Sequence, residues 1–447
     1  MRSGALRSRA RQAIADSKTA AAVTAAADRF DAQRAEEVAR VPDFEGLRRA
    51  AANARSRSIA DLAGLLGRLA DRVEAAGGTV WWAGDADEAN RCIVEVCRRR
   101  GARSVVKAKS MVTEEIGLNR ALQDAGMRVV ETDLGEWIVQ LAGDPPSHII
   151  VPAIHLDRDD VADLFRRHGA GEIGNDPAEL AAYARRTLRS EFLTADVGIS
   201  GCNLAVAETG TVCIVTNEGN GRLVTSVPPV HVAVMGMERV VADWEELDLM
   251  MSLLPRSATG QDLSVYVNFV TGARRAGEVD GPEEFHLVVV DNGRSDVLGG
   301  DHRGILSCIR CGACLSVCPV YRRIGGHGYG SPYSGPVGAV ISSRLGIAGT
   351  CDLPLASSLC GACYEVCPVM IPLQDLLLGL RRDAAPASAL PERLAWRWWS
   401  RLWASPFWYR LSVKAAACAV RILPHRLVPR WGRGRDLPRP GRGRVVR

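Results

Sequence analysis

The sequence predicts an α/β sheet domain that is preceded by a helical segment and followed by a small α-helical, ferredoxin-like domain of the two-cluster type. In the middle of the chain, short apolar runs alternate with helix-like stretches, which is the pattern of parallel strands joined by crossover helices. Closely spaced cysteines then follow in the last third. The expected divisions are a helical segment at 1–75, the α/β domain at 76–298, the two-cluster domain at 299–385 and a basic, tryptophan-rich tail at 386–447.

Length and composition agree with a protein of this kind. A chain of 447 residues has room for two or three domains, and 47% hydrophobic with 24% charged residues is ordinary for a soluble globular protein. No apolar signal core follows Met1, and no run of eighteen apolar residues occurs. We therefore expect a cytoplasmic location, where thiols stay reduced.

The first 75 residues have the composition and spacing of helices. They are rich in alanine, arginine and glutamate, and apolar residues recur at helical spacing from Ile59 to Leu66. Strands are then expected at 79–83, 104–107, 128–132 and 148–152. A more antiparallel portion follows, with two strands between Cys202 and Val215 about the turn Glu208-Thr209-Gly210. Further strands are expected at 231–234, 263–271 and 285–290.

Polar residues follow two of the predicted parallel strands. Lys107, Lys109 and Ser110 lie at or just after the end of the second strand, and Glu131 and Asp133 lie at the end of the third. Ligands of open parallel sheets bind at the carboxyl ends of the strands, so these positions suit a small anionic or nucleotide ligand. There is no glycine-rich dinucleotide fingerprint after a strand and no phosphate loop. A solvated rim is the alternative, and no catalytic residue is assigned.

Two cysteine runs carry the most specific signal in the chain. The first has the form C-x2-C-x2-C-x3-C-P and ends at Pro319, and the second has three cysteines and ends at Pro368. This spacing is typical of a bacterial ferredoxin module that binds two 4Fe-4S clusters, in which the last cysteine of each run reaches the other cluster. Zinc sites and redox disulfides use pairs of cysteines instead, so the pattern favours iron–sulfur clusters.

The crossover rule divides the seven cysteines between two clusters. Cluster 1 is assigned Cys308, Cys311, Cys314 and Cys367, and cluster 2 is assigned Cys318, Cys360 and Cys363. Ser357 stands where the second run would have its first cysteine. The fourth iron of cluster 2 is then held by Cys351 or a non-cysteine group, open to substrate or solvent, or absent, which leaves a 3Fe-4S cluster. A free, buried Cys351 is favoured over a ligand.

The end of the chain differs in charge from the rest. From Arg393 to Arg447 the net charge is +13, whereas residues 1–392 carry −8, and the same segment holds six of the ten tryptophans. Aromatic anchors mixed with positive charge suit docking on an anionic membrane surface or on a partner subunit. The alternative is a helix that packs its tryptophans onto the cluster domain, followed by a disordered end. Nucleic-acid binding is not expected.

The cysteine runs, the segment 330–340 between them, and the stretches 109–119 and 205–211 of the sheet region resemble the lactate utilization protein B family. These are the iron–sulfur subunits of a bacterial L-lactate oxidation system, and their second run also has three cysteines. The likeness extends over about residues 40–410. The α/β domain is accordingly expected to be of the lactate-utilization type.

The resemblance implies a complex with two other lactate-utilization subunits, which oxidises L-lactate to pyruvate and allows lactate to serve as a carbon source. This chain is then an electron-transfer subunit of an L-lactate dehydrogenase complex, without catalytic residues of its own. Its seven cysteines hold the clusters, and the electrons continue to an acceptor such as the quinone pool. Two other functions stay open: a metabolite-binding redox sensor, and a catalytic subunit with substrate at the under-ligated cluster.

Overall fold

A computed structural model describes residues 4–385 and 390–422. The described residues fall into two units that divide after Arg381. The helical, sheet and cysteine-containing segments all belong to the first unit. The second unit contains the described part of the tail.

Four helices precede the first strand, which confirms the helical character predicted for the N-terminal segment. They are α1 (Gly4–Ala15), α2 (Ser17–Ala39), α3 (Phe44–Ala60) and α4 (Leu62–Ala75). Asp16 and Asp43 cap α2 and α3, because their side chains accept hydrogen bonds from the first-turn N–H groups of Thr19 and Gly46. These caps fix where each helix begins.

The remaining regular elements alternate between strands and helices. The strands are β1 (Thr79–Ala83), β2 (Ser104–Lys107), β3 (Arg128–Glu131), β4 (Val197–Gly201), β5 (Leu204–Val206), β6 (Thr211–Thr216), β7 (Val230–Gly236), β8 (Val240–Val241), β9 (Tyr266–Val270) and β10 (Glu284–Val290). The helices of this region are α5 (Ala86–Arg99), α6 (Met111–Glu115), α7 (Leu118–Asp124), α8 (Leu134–Ala142), α9 (Arg158–Phe165), α10 (Pro177–Thr194), α11 (Asn220–Ser226), α12 (Trp244–Thr259) and α13 (Arg294–Leu298). A π-helical turn, Arg166–Ala170, follows α9.

The main sheet has six parallel strands in the order β1-β10-β7-β4-β2-β3. Its central strands are mostly apolar because helices cover both faces, and all seven residues of β7 are buried. The segments expected at 231–234 and 285–290 are strands, but they belong to this parallel sheet as β7 and β10. They return to the main sheet instead of extending the antiparallel portion.

A second sheet has four strands in the order β8-β5-β6-β9. β5 and β6 form the predicted antiparallel hairpin, with Leu204 opposite Cys213 and Val206 opposite Thr211. Gly210 closes the turn with φ +75°, and a Cβ there would lie 2.7 Å from the backbone N of Val73. The turn therefore needs glycine both for its backbone conformation and for its close approach to α4.

The prediction of a strand at 148–152 is wrong. The segment runs in bends and turns, where the His148 ring accepts hydrogen bonds from the N–H groups of Ile150 and Val151. Ile149 is buried in the core that surrounds the cysteines. The apolar run therefore packs against the cluster region instead of pairing with a strand.

The cysteine-containing region consists of short helices. They are α14 (Ala313–Ser316), α15 (Pro319–Ile324), α16 (Gly335–Arg344), α17 (Ala362–Glu365) and α18 (Leu373–Ala384), with 3-10 turns at Arg303–Ser307 and Leu353–Leu355. A single hydrophobic core extends from Val23 of α2 and Leu253 of α12 to Leu315 of α14. The N-terminal helices are therefore part of the wall around the cysteines, since α2 also contacts α14 and α15.

The tail begins with two helices, α19 (Leu390–Ala404) and α20 (Pro406–Ile422). Five exposed tryptophans lie on them: Trp396, Trp398, Trp399, Trp403 and Trp408. Trp431, the sixth tryptophan of the predicted tail, lies outside the described residues. Within residues 4–385 and 390–422, no helix combines the length and apolarity needed to cross a membrane.

Candidate cluster-binding site

Four cysteines line one small cavity at the centre of the cysteine-containing region. They are Cys308, Cys311, Cys314 and Cys367, which are the four that the crossover rule assigns to cluster 1. The rest of the wall is mainly apolar, with Val337, Ile371 and Leu373 among its residues. Soft sulfur ligands in a dry pocket suit an iron–sulfur cluster, because exclusion of water helps to set its potential.

Burial strongly perturbs these thiols. Removal from water raises the pKa of Cys367 to about 11 and that of Cys314 well above its ordinary value. The neighbouring cysteine sulfurs raise the pKa of Cys314 further. A buried group of thiols becomes stable as thiolates when a metal cluster supplies positive charge, so the pocket fits the cofactor.

The remaining three cysteines form a second group. Cys318 interacts electrostatically with Cys360, and Cys363 interacts with both of them. Cys318 caps α15, and its Sγ lies 3.5 Å from the N–H donor of Tyr321. Cys360 is exposed, and hydrogen bonds from the Ala362 N–H and the Ser358 hydroxyl lower its pKa. Cys318 and Cys363 are buried, so Cys360 is the member of this group that reaches the surface.

The two runs share a backbone conformation. Arg310 and Gly312 flank Cys311 with φ of 62° and 79°, and Leu359 and Gly361 flank Cys360 with φ of 56° and 87°. A left-handed non-glycine residue is uncommon, and its occurrence at equivalent positions indicates a shared constraint. In the first run, Cys308, Cys311 and Cys314 line the same cavity.

Ser357 takes the structural place of Cys308 in this repeat. The Sγ of Cys308 accepts a hydrogen bond from the Arg310 N–H at 3.3 Å, and the Oγ of Ser357 accepts one from the Leu359 N–H at 3.0 Å. Cys351, in contrast, is free and exposed, so the expectation that it is buried is wrong. It lies in a turn before the 3-10 segment Leu353–Leu355, where the chain is at the surface.

Replacing Ser357 with cysteine is expected to complete the thiolate set of the second group. The Ser357→Cys protein should then retain four irons per second cluster on exposure to air, because a fourth thiolate holds the iron that is otherwise lost first. EPR of the oxidised protein measures this as disappearance of any three-iron signal. Cys351→Ala is the control and should leave the spectrum unchanged. An altered spectrum in Cys351→Ala alone would assign the ligand role to Cys351.

Arginines that sequence reasoning missed surround the cysteines. Arg48 of α3 donates to the carbonyl oxygens of Cys367 at 3.0 Å and Tyr364 at 3.1 Å. Arg239 donates to the carbonyl oxygen of Cys308 at 2.6 Å. Arg34 of α2 donates to the Val366 carbonyl oxygen at 3.2 Å. Positive charge beside the thiolates stabilises added electrons and raises the reduction potential of a bound cluster.

Arg55 of α3 hydrogen-bonds both the sheet domain and the segment just before the cysteines. Its side chain is fully buried, and its guanidinium donates to the carbonyl oxygens of Glu238 at 2.5 Å, Val240 at 2.7 Å and Leu306 at 3.2 Å. A fourth bond reaches the carbonyl oxygen of Ser307, directly before Cys308, at 3.3 Å. The burial lowers the pKa of Arg55 to about 10, which still leaves it charged at neutral pH.

Arg55→Met is expected to destabilise the protein by about 3–5 kcal/mol, because it leaves several buried carbonyl groups without donors. Thermal unfolding of the cluster-loaded protein followed at 222 nm measures the loss. Arg49→Met is the matched control, since Arg49 lies on the same helix with its side chain exposed. Equal midpoints for the two variants would show that the Arg55 contacts contribute little.

The polar residues predicted at the strand ends lie in two different environments. Lys107 is buried and is held by Glu131 at 2.8 Å and Glu114 at 3.2 Å, so it is an internal ion-pair residue. The charges of Glu131 and Glu114 outweigh burial and raise its pKa. Lys109, Ser110 and Asp133 instead line a larger cavity in the sheet domain.

Two known protein domains match separate parts of this chain. Residues 66–290 match the LUD domain, and residues 304–371 match the 4Fe-4S dicluster domain. A solved structure, the DUF162 family protein from Deinococcus radiodurans, aligns with 51% of this chain and 98% of its own at 17% identity and a TM-score of 0.30. The chain is thus an iron–sulfur protein with a LUD domain and a ferredoxin-type dicluster region.

Relatives at higher identity define the family more closely. Lactate utilization protein B of Exiguobacterium sp. is 48% identical, with 98% of this chain and 95% of the relative covered. The same-named protein of Shouchella clausii is 47% identical over 91% and 85%, and the uncharacterized electron transport protein YkgF of Escherichia coli K12 is 46% identical over 97% and 93%. The chain belongs to the lactate utilization protein B family.

Proposed function

We propose that this chain is the electron-transfer subunit of a system that oxidises L-lactate to pyruvate and so allows growth on lactate. The observation that carries the proposal is the convergence of seven cysteines in two groups, four that line one small cavity and three that include the exposed Cys360. The names of the relatives, lactate utilization and electron transport, support the same role. Bound 4Fe-4S clusters accept and donate single electrons.

We assign the cluster ligands by these two groups. Cys308, Cys311, Cys314 and Cys367 hold the buried cluster, and Cys318, Cys360 and Cys363 hold the outer one. The short helix α14 carries Cys314 and ends two residues before Cys318, so the two groups adjoin. The exposed Cys360 gives a partner protein access to the outer group. Cys311, Cys314 and Cys367 of the first group are buried and so are shielded from water.

The partners in this proposal are two other lactate-utilization subunits. The tail helices suit docking on such a partner, because exposed tryptophans accompany the exposed arginines Arg393, Arg397 and Arg401. An anionic membrane surface is the other candidate for the same segment. Removal of the residues after Pro391 is expected to abolish co-purification with the partner subunits. Retention of the partners together with loss of vesicle binding would assign the tail to the membrane.

Lactate-driven reduction tests the proposed function. The full chain is loaded with clusters under anaerobic conditions, and its visible absorption is followed after addition of L-lactate with and without the two partner subunits. We expect bleaching only when the partners are present. Bleaching with this chain alone would place catalysis here, and no bleaching in the reconstituted complex would contradict the role.

A further inference from the structure

A cavity of about 330 Å³ lies at the carboxyl ends of β2, β3 and β4. Residues after these strands form one side, β6 and α12 form another, and Arg310 and Tyr333 of the cysteine-containing region close it. This volume is within the range of small-molecule sites, and the carboxyl ends of parallel strands are where such sites form. Neither cysteine group contributes a ligand cysteine to its lining.

Three cationic side chains, Lys109, Arg239 and Arg310, line this cavity. Arg310 is only 8% exposed, and its Nη1 has no hydrogen-bond partner among the described residues. The Oδ1 of Asn220, 4% exposed on another wall, is also unpartnered. Buried polar atoms without partners are costly, so these atoms indicate an absent ligand with both acceptor and donor groups.

Two of the cations are also in contact with the buried cysteine group. The backbone N–H of Arg310 donates to the Sγ of Cys308, and Arg239 donates to the Cys308 carbonyl oxygen. The Arg310 guanidinium lies over the Tyr333 ring, 4.5 Å from its centroid, which fixes its position. A negative charge bound at these guanidiniums would therefore change the electrostatic potential at the buried cluster.

Two acidic residues, Asp133 and Glu218, border the same cavity and restrict the charge of its ligand. Burial and the charge of Asp133 raise the pKa of Glu218 to about 7, so its carboxyl group is partly protonated at neutral pH. A dianion such as phosphate would be repelled more strongly than a monoanion. Apolar residues including Ile150 and Pro255 leave room for a short carbon chain.

We propose that this cavity binds a small monocarboxylate that carries a hydroxyl or oxo group, with Arg310 and Lys109 as its anion-recognition residues. The choice of L-lactate and pyruvate as probes rests on the proposed function, whereas the site itself rests on the cavity and its unpartnered polar atoms. Occupation partly neutralises Arg310 and Arg239 beside Cys308. The potential of the buried cluster is therefore expected to fall when the site is filled.

Titration calorimetry tests the site on the cluster-loaded full chain under anaerobic conditions, without partner subunits. The probes are L-lactate, pyruvate and inorganic phosphate. At least one carboxylate should bind, and Lys109→Met and Arg310→Gln should each weaken it by about 10- to 100-fold. Arg185→Gln, at an exposed position of α10, is the control and should bind like the wild type. The visible spectrum checks that each variant keeps its clusters, and Lys109→Met serves if Arg310→Gln loses them.

Three outcomes would overturn the proposal: no binding of either carboxylate by the wild-type chain, unchanged binding in Lys109→Met, or binding of phosphate alone. A redox titration with and without the bound carboxylate gives a second readout, the expected fall in potential, which Arg310→Gln should remove. If the chain binds no carboxylate, lactate-driven reduction in the reconstituted complex is still expected. Loss of that reduction with carboxylate binding intact would instead contradict the proposed function.

Discussion

Cys314→Ser is expected to remove the buried cluster and to abolish lactate-driven reduction. Cys314 is 8% exposed and interacts with Cys308, Cys311 and Cys367, so no water can replace the lost sulfur ligand easily. A serine oxygen is a harder and weaker ligand for iron. Iron per chain should fall by about half, with one cluster signal left. Iron analysis, EPR and the reduction assay measure the three effects.

Cys92→Ser is the matched control for this substitution. Cys92 is a free, half-buried cysteine of α5, outside both cysteine groups. Its replacement should leave iron content and reduction unchanged. Full iron content in Cys314→Ser would contradict the ligand assignment. Loss of iron in both variants would indicate general instability instead of a missing ligand.

Arg294→Met is expected to destabilise the protein about as strongly as Arg55→Met. Arg294 is completely buried and bonds Glu115 at 2.7 Å and Glu238 at 2.7 Å, and Glu238 in turn pairs with Arg310 at 3.3 Å. The hydroxyl of Tyr333 donates to Glu115 at 2.6 Å. This network joins the sheet domain to the cysteine-containing region. Loss of the arginine leaves two carboxylates buried without their main partner, which costs about 3–5 kcal/mol.

Thermal unfolding of the anaerobic, cluster-loaded protein measures this loss as a lower midpoint. Arg99→Met is the control, because Arg99 pairs with Glu95 at 2.8 Å on the surface and such pairs contribute less than about 1 kcal/mol. Similar midpoints for the two variants would show that the buried network stabilises little. A partial loss of the buried cluster is expected to accompany the lower midpoint, since Arg310 belongs to the same network.

The network also predicts a response to acid. Burial alone would raise the pKa of Glu238, but the charges of Arg294 and Arg310 lower it to about 2 from an ordinary value of 4.5. A lowered pKa in the folded state contributes stability above the unfolded value, and this contribution is lost as the pH falls from 4.5 toward 2.

Local sequence patterns predicted the elements that depend on neighbouring residues. The β5–β6 hairpin follows from apolar runs about a glycine turn, and the grouping of Cys308, Cys311 and Cys314 follows from their spacing. The segment 148–152 was misassigned because an apolar run does not reveal whether it meets a strand or the cluster region. The expected boundaries at residues 75, 298 and 385 stay predictions.

Long-range contacts explain what the sequence could not supply. Arg48 reaches the carbonyl oxygen of Cys367, 319 residues later in the chain. Arg294 and Glu115 are separated by 179 residues. No local periodicity encodes such pairs, and buried arginines are uncommon enough that surface exposure is the natural expectation for each. The cavity at the carboxyl ends of β2, β3 and β4 likewise forms only where the sheet domain meets the cysteine-containing region.

EPR of the anaerobically purified protein, combined with iron analysis, tests the central claim most directly. We expect seven or eight irons per chain, about four for each full cluster, and signals from two neighbouring clusters on reduction. Any three-iron signal in the oxidised protein should come from the outer group and disappear in Ser357→Cys. A single cluster with about four irons, or no paramagnetic signal on reduction, would contradict the assignment of seven cysteines to two redox-active clusters.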